Sequence, residues 1–364
     1  MKIVILIKSY FKYNPGGSEH QALLFAKEMV IKGNEVHYIF VNSSNMKVPA
    51  IDEGINLHPL NPIKGNIMIG KPVFLYKKKV IKLLEEIRPE VIYHRNLNPF
   101  IGFACFYARS RKCKVIWHIA SLNDVKKIKI KYKWSPIVSY FNNKWIKFGI
   151  NYADQIITQE EKHDILLLKN FGKSNTVKIN KFFPVLKNKS KSISKIKIFW
   201  IANIRPIKQL EIFLDLADKI DNNNIEFIVI GKKRKGKYQK TLDDKFKIIS
   251  NINYLGEKSF DEINLLLSDG HILVNTSKSE GGSPVTFIQA WMNSVPIISL
   301  NHNPDKILSK YKIGLHSQTF EKMVEDTIKL SRNHKLRKEM GEICREYAIS
   351  NFSMKNIDKI ESLF

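Results

Sequence analysis

The sequence predicts an α/β protein made of two doubly wound, parallel-sheet domains that face a central cleft. Three observations carry this expectation. The chain has 364 residues, more than one hydrophobic core usually organises, so two domains are expected. Short apolar runs alternate with amphipathic helical stretches from end to end, the pattern of parallel strands covered on both faces. The rhythm is interrupted by the polar stretch KNKSKSISK at 187–195 and then starts again, which marks a linker. The expected division is a first domain at 1–186, the linker at 187–195 and a second domain at 196–350. A C-terminal helix at 351–364 then packs back on the first domain.

The elements follow in order. Residues 4–7 read as a buried strand. Ser18 opens a helix, with Gln21 at capping-box spacing and Gly33 placed to end it. Residues 36–41 form the next strand, and 73–87 are helical by period, with Pro89 as a stop. Further strands are read at 90–93, 114–117 and 155–158. After the linker, strands are read at 196–201, 226–230, 252–255, 272–275 and 296–300. Helices at 318–333, 335–348 and 354–364 close the chain, the last with Ile357, Ile360 and Leu363 at helical spacing. Open α/β sheets bind ligands beyond the carboxyl ends of their strands, so two such ends can oppose one another across a cleft.

Composition narrows the class. Hydrophobic residues are 44% and charged residues 26% of the chain, ordinary for a folded soluble protein. Cys105, Cys113 and Cys344 match no zinc spacing, and their odd number argues against a disulfide framework, hence a reducing cytoplasm. The apolar opening MKIVILIKSYF is too short to span a membrane and lacks a small-residue cleavage site. Sixty Lys+Arg against 34 Asp+Glu leave a formal charge of +26. Such a field attracts polyanions, although a chain rich in Lys, Ile and Asn also follows from an AT-rich genome. No nucleic-acid-binding module is recognisable and the cations are dispersed, so no specific nucleic acid is expected.

Three segments carry the chemistry. The first is Pro15-Gly16-Gly17-Ser18-Glu19 after the first strand. Its glycines permit close backbone approach, and the following helix offers free N–H groups to an anion or hydroxyl. A tight strand-to-helix turn is the plain structural alternative. The second is Asn203-Ile204-Arg205-Pro206-Ile207-Lys208 after the strand at 196–201. It pairs a planar guanidinium fork with a point charge, suited to a pyrophosphate; the alternative is a solvated basic loop. The third is SEGGSPVTFIQAW at 279–291, after the strand at 272–275. Glu280 precedes the Gly281-Gly282 turn, and a helix beginning near Ser283 would hold a phosphate at its amino end. Gln289 sits further along that helix, within reach of the same pocket. The alternative is a capped helix with a surface glutamate.

These segments resemble, in order, retaining glycosyltransferases of family four, with the GT-B fold. GGSEHQALLFAKEMVIKGNEVHYIF is similar to the family's glycine loop, first helix and second strand. FWIANIRPIKQLEIFLDLADKI resembles the start of its second domain, and SEGGSPVTFIQAWMNSVPIIS its acidic signature. The resemblance implies a first domain on the acceptor side and a second that binds the nucleotide sugar. It implies that Arg205 and Lys208 neutralise the diphosphate. Asn203 stands where many relatives carry a phosphate-binding Arg. Glu280 would contact the donor sugar, and Gly281, Gly282, Ser283 and Pro284 would approach sugar and phosphate. Gln289 replaces a second Glu that bonds the ribose, and the signature is one residue longer than usual. His118, at the end of a first-domain strand, lies where relatives carry a His near the reacting sugar, while Trp117 beside it reads as core. Gly16, Gly17 and Ser18 would border donor and acceptor.

The expected reaction is transfer of a glycosyl group, with retention, from a nucleotide diphosphate donor to a hydroxyl of a glycan or lipid-linked acceptor. Fixed cations and helix N–H groups would stabilise the leaving diphosphate without a metal or cofactor. Asp243-Asp244 reads as part of a surface helix rather than a metal site. The segment 126–147 interleaves lysines with Tyr132, Trp134, Tyr140, Phe141 and Trp145, a composition suited to an anionic membrane surface. An ordinary amphipathic helix with a basic loop is the alternative. If lipid is met there, the protein is peripheral on the cytoplasmic face, in bacterial surface-polysaccharide synthesis. A nucleotide-sugar epimerase of the same fold, a basic nucleic-acid-binding protein and an inactive scaffold are the competing readings.

Overall fold

The computed structural model describes residues 1–42, 46–63, 72–128, 136–187, 191, 195–220, 222–234, 236–280 and 282–364. The chain divides into two compact units, Met1–Phe183 with Met354–Phe364, and Pro184–Ser353. Most of the expected linker, at 188–190 and 192–194, lies outside the described residues.

The first unit runs β1 (Lys2–Leu6), α1 (Gly17–Ile31), β2 (Glu35–Val41), β3 (Ile51–Asp52), β4 (Ile55–Leu60), α2 (Lys77–Ile87) and β5 (Val91–Arg95). It continues with α3 (Phe100–Ala108), β6 (Lys114–His118), α4 (Pro136–Tyr152), β7 (Gln155–Thr158), α5 (Glu161–Phe171) and β8 (Thr176–Lys178). Its sheet has the order β3-β4-β2-β1-β5-β6-β7-β8. Every described pairing is parallel except β3 with β4 at one edge. That antiparallel ribbon departs from the expected all-parallel sheet. Its cause is a tight turn at Glu53 and Gly54, both at positive φ, which reverses the chain without a helical crossover.

Strand β1 shows why both faces are covered. Ile3, Ile5 and Ile7 enter one core with Phe25, Ala26 and Met29 of α1. Val4 and Leu6 enter the other with Leu84 of α2 and Phe103 and Ala104 of α3. Period-two alternation therefore reads as a continuous apolar run, as expected of a strand buried on both sides. On the second face α3 and α4 pack backbone to backbone. A Cβ on Gly102 would sit 2.1 Å from the Trp145 carbonyl oxygen, and one on Gly149 2.7 Å from the Gly102 nitrogen.

The second unit runs β9 (Ile196–Ile201), α6 (Leu210–Lys219), β10 (Ile225–Ile230), α7 (Lys237–Ile248), β11 (Ile252–Tyr254), α8 (Phe260–Ser268) and β12 (Ile272–Asn275). Then come α9 (Val285–Met292), β13 (Ile297–Ser299), α10 (Ile307–Lys310), β14 (Gly314–His316), α11 (Phe320–Arg332) and α12 (His334–Phe352). Its sheet, β11-β10-β9-β12-β13-β14, is parallel throughout its described pairings. The last helix, α13 (Lys355–Glu361), belongs to the first unit. Ile357 and Ile360 enter the α1 core, and Lys32 of the first unit pairs with Asp358 and Glu361 at 2.5 Å each.

In both sheets the winding reverses beside the first strand. β5 lies on the other side of β1 from β2, and β12 on the other side of β9 from β10. Loops leaving neighbouring strands at such a reversal diverge to opposite faces and open a crevice at the carboxyl ends.

Two sequence expectations are corrected. Ser18 does not cap α1 with Gln21: the helix begins at Gly17, Gly16 is the N-cap, and no side chain caps it. The Gln21 amide instead donates to the Phe182 carbonyl at 2.8 Å and accepts from the Phe182 N–H at 3.0 Å. A fully buried amide facing an unpaired peptide gains more there than at a solvent-facing cap. The signature helix α9 begins at Val285, with Pro284 as its N-cap (φ −57°, ψ 149°), two residues beyond Ser283, because the residue before a proline is disfavoured in the helical region.

Candidate functional site

In the second unit the winding reversal places the loop after β9 beside the loop after β12. Ile204, 1% exposed, anchors the first loop and leaves Asn203 and Arg205 exposed on either side of it. A short helical turn, Pro206–Lys208, follows. Thr276 ties the loops together: its hydroxyl lies 2.8 Å from both the Lys208 and Gln209 carbonyls and accepts from the Trp200 indole at 2.9 Å. The Lys278 N–H donates to the Ile207 carbonyl at 3.0 Å. These bonds bring Lys208 Nζ to 2.5 Å from Glu280 Oε1.

The Glu280 side chain is 11% exposed and that of Lys208 22%. Burial pushes the Glu280 carboxyl up. The Lys208 charge and hydrogen bonds from Lys208, Ser277 and Asn275 outweigh it, so the group is held below its ordinary value and stays ionised near neutrality. Gly282 follows at positive φ, and its carbonyl accepts from His302 Nε2 at 2.8 Å. Pro284 then delivers the chain to α9; Gly281 lies outside the described residues. Gln289 sits in the second turn of α9, 3% exposed. Its amide donates to the Phe260 carbonyl and to Asn264 Oδ1 of α8, at 3.2 and 3.0 Å. Of the expected donor-site residues, then, the structure joins Lys208 to Glu280 directly. It sets Asn203 and Arg205 on the adjoining loop and turns the Gln289 amide toward α8.

Asn275, Ser277, Thr276 and His302 were missed by sequence reasoning. Asn275 ends an otherwise apolar strand, and a polar residue in that position was the available signal. Its Nδ2 lies 3.4 Å from Glu280 Oε1 and 3.3 Å from Ser277 Oγ.

In the first unit, Gly16 is the half-buried N-cap of α1 and Gly17 is exposed. A Cβ on Gly16 would sit 2.4 Å from Glu19 Oε2: the Glu19 carboxylate folds back over the helix amino end and fills that space. Burial raises the Glu19 carboxyl, opposed by its own backbone N–H and by the charges of Arg95 and Lys8. Ser18 Oγ is buried with no hydrogen-bond partner among the described residues.

His118 ends β6 and is fully buried. Its Nδ1 lies 2.7 Å from the Tyr93 hydroxyl and 3.1 Å from Arg95 Nη1, and its Nε2 lies 3.0 Å from the Gln159 amide. Burial first, then the charges of Arg95, Lys181 and His163, hold it well below the usual histidine value, so the ring is neutral. Tyr93, Arg95 and Gln159 were also missed; the polar tail Tyr93-His94-Arg95 of β5 was the signal. Trp117 is fully buried in the core, as expected. Asp243 and Asp244 lie on α7 and pair with Lys233 and Lys247. Among the described residues no three His, Cys, Asp or Glu side chains are grouped to hold a metal.

The comparisons with known proteins follow the same division. Residues 183–347 match the family described as glycosyl transferases group 1, and residues 15–178 match glycosyltransferase family 4. An uncharacterized glycosyltransferase of Methanocaldococcus jannaschii is 24% identical over 97% of this chain and 95% of its own length. Among solved structures, Anabaena HepE in complex with UDP and glucose aligns over 100% of this chain and 98% of its own, at TM-score 0.72 and 14% identity. WaaG, a glycosyltransferase involved in lipopolysaccharide biosynthesis, aligns over 99% of both chains at TM-score 0.70 and 12% identity. At those identities the structures speak for the fold alone. With one glycosyltransferase model matching most of each unit, on two parallel α/β sheets in the GT-B arrangement of elements, the chain is a GT-B glycosyltransferase whose second unit is of the group 1 family.

Proposed function

We propose that the protein transfers a hexosyl group, with retention and without a metal or other cofactor, from a nucleotide diphosphate sugar to a hydroxyl of a glycan or lipid-linked acceptor. The observation that carries the reading is the Lys208–Glu280 pair at the winding reversal, beside exposed Arg205 and the amino end of α9. A carboxylate kept ionised there accepts hydrogen bonds from sugar hydroxyls. Lys208, Arg205 and the N–H groups of Ser283, Val285 and Thr286 face the charge that grows on a departing diphosphate. Asn203, Gly281, Gly282 and Pro284 shape the approach, and Gln289 supports the ribose side from the second turn of α9. His118 and the Gly16-Gly17-Ser18 turn serve the transferred sugar and the acceptor. The complexes of HepE with UDP and UDP-glucose support a uridine nucleotide as donor base; GDP is the alternative base.

The acceptor is read as lipid-linked and the role as surface-polysaccharide assembly, such as lipopolysaccharide or capsule, at the cytoplasmic face of the membrane. WaaG supports this by its own role, and α4 supports it by its surface. Ile137, Tyr140 and Phe141 are 67%, 64% and 39% exposed, with Lys144 and Lys147 exposed beside them. Lys77 lies over the Phe106 and Trp145 rings at 4.1 and 4.7 Å. Aromatic rings with flanking cations suit an anionic lipid interface. Residues 129–135 of that segment lie outside the described residues, and among the described residues no helix is long and apolar enough to cross a membrane.

The test is incubation with a panel of nucleotide sugars, with and without lipid extract, followed by mass spectrometry. Sugar on a lipid or glycan, abolished by Glu280→Ala, is expected. Isomerised donor in the absence of any acceptor would replace the reading with epimerisation. Flotation with liposomes containing anionic lipid tests the membrane claim, and recovery that ignores lipid charge contradicts it.

A further inference from the structure

His118 is held by three side chains whose donor and acceptor capacities determine where its proton sits. Arginine is a donor only, and Arg95 Nη1 lies 3.1 Å from His118 Nδ1 and 2.9 Å from the Tyr93 oxygen. A proton on Nδ1 would point at one of the guanidinium protons. Nδ1 is therefore the lone-pair nitrogen, and the Tyr93 hydroxyl, accepting from Arg95, donates its own proton to Nδ1 across 2.7 Å. The ring proton is left on Nε2, which faces Gln159 at 3.0 Å. Gln159 Oε1 is otherwise buried without a partner. Because an amide's oxygen and nitrogen exchange places on a half-turn, that carbonyl meets the Nε2 proton once the amide is turned.

We propose that Arg95 and Tyr93 are positioning residues that lock His118 as a neutral Nε2–H donor, so that it offers a proton and never a lone pair to the oxygen of a bound sugar. The structure sets the Gln159 amide nitrogen at 3.0 Å from Nε2; with the amide turned, its carbonyl would stand in the place of that oxygen in the free chain. Arg95 of β5, Lys181 beyond β8 and His163 of α5 all oppose protonation of the ring, so imidazolium is suppressed as well as the other tautomer. His94, between Tyr93 and Arg95 on β5, provides an internal contrast. Its Nδ1 donates to the Leu6 carbonyl at 2.6 Å, which makes it the opposite tautomer. The role in transfer rests on the glycosyltransferase reading above; the tautomer does not.

The test is long-range ¹H–¹⁵N correlation on the full chain labelled at histidine, with no sugar present. His118 and His94 are assigned by loss of their signals in His118→Asn and His94→Asn. A protonated-type Nε2 and a lone-pair-type Nδ1 for His118, with the reverse for His94, is expected, unchanged from pH 6 to pH 8. Arg95→Met should give His118 mixed tautomers and a titration visible in that range, and Arg95→Lys should restore most of the single signature. A wild-type Nδ1–H signature overturns the proposal. So does a signature unchanged in both Arg95→Met and Tyr93→Phe, each checked for a native melting transition. Should Arg95→Met fail to fold, the wild-type and Tyr93→Phe spectra still decide. Under transfer conditions, Arg95→Met should lower kcat on the order of tenfold near pH 8, where mixed neutral tautomers leave part of the population without an Nε2 proton, with an unchanged donor KM. A chain that transfers nothing would refute the enzymatic reading and leave the spectra to judge the tautomer.

Discussion

Replacing Lys208 by Met removes one partner of the 2.5 Å pair and leaves Glu280, with an 11%-exposed side chain, ionised beside only neutral donors. Breaking a fully buried pair this way costs about 3–5 kcal/mol. The Lys208 side chain is 22% exposed and Asn275 and Ser277 remain bonded to the carboxylate, so about 2 kcal/mol is the working figure. For a unit of this size that lowers Tm by about 4–8 °C. The sign of the pH dependence is fixed by Glu280. In the wild type its carboxyl is depressed, so it adds stability above the unfolded value, and that contribution fades as pH falls through the folded value. In Lys208→Met, burial is left largely unopposed and the carboxyl rises, which destabilises the fold only where the unfolded group is ionised. The deficit of the variant should therefore be full at about pH 7.5 and shrink toward about pH 4. Lys208→Met/Glu280→Gln should regain at least half of it, since the amide keeps polar partners without a buried charge. Scanning calorimetry at both pH values measures this. An equal deficit at both, or no recovery in the double variant, would show that the pair is not coupled as described.

Three further outcomes follow. Gln21→Leu leaves the Phe182 N–H and carbonyl unpaired in the core, and should cost about 2–3 kcal/mol, read by denaturant midpoint. Gly16→Ala requires Glu19 to leave the helix amino end and should change donor or acceptor kinetics with little loss of Tm; unchanged kinetics would make Gly16 a turn residue only. Gln289→Leu breaks the α9–α8 bonds and should lower stability by about 1–2 kcal/mol. A loss of nucleotide affinity without a loss of stability would instead favour direct contact with ribose.

The alternation of strands and helices was legible because the buried stretches Ile3–Leu6 of β1, Val91–Tyr93 of β5 and Ile198–Ile201 of β9 carry no charged side chain. The elements missed, β3, β4, β8 and β14, lie at or next to sheet edges. There, neighbours rather than pattern decide pairing, and three of them have only two or three residues. Glu280 and Lys208 were legible singly, each in a polar loop after an apolar strand. Their pairing was not: 72 residues separate them, and only the winding reversal between β9 and β12 brings their loops together. The network around His118 was hidden for the same reason. Tyr93 and Arg95 come from β5 and Gln159 from beyond β7, and nothing in their spacing signals that they converge on one imidazole. The capping box at Ser18 failed because Gln21 had a tertiary partner that local spacing does not reveal.

Thermal unfolding with UDP and UDP-glucose shows whether Arg205, Lys208 and Glu280 form the proposed nucleotide-sugar site. Ligand at a hundred times its dissociation constant should stabilise the chain by about 2.7 kcal/mol, raising Tm by several degrees. Arg205→Ala should retain the native transition but need about tenfold more nucleotide for the same shift. No shift with any nucleoside diphosphate or its sugars, or a shift indifferent to Arg205, Lys208 and Glu280 alike, would contradict it.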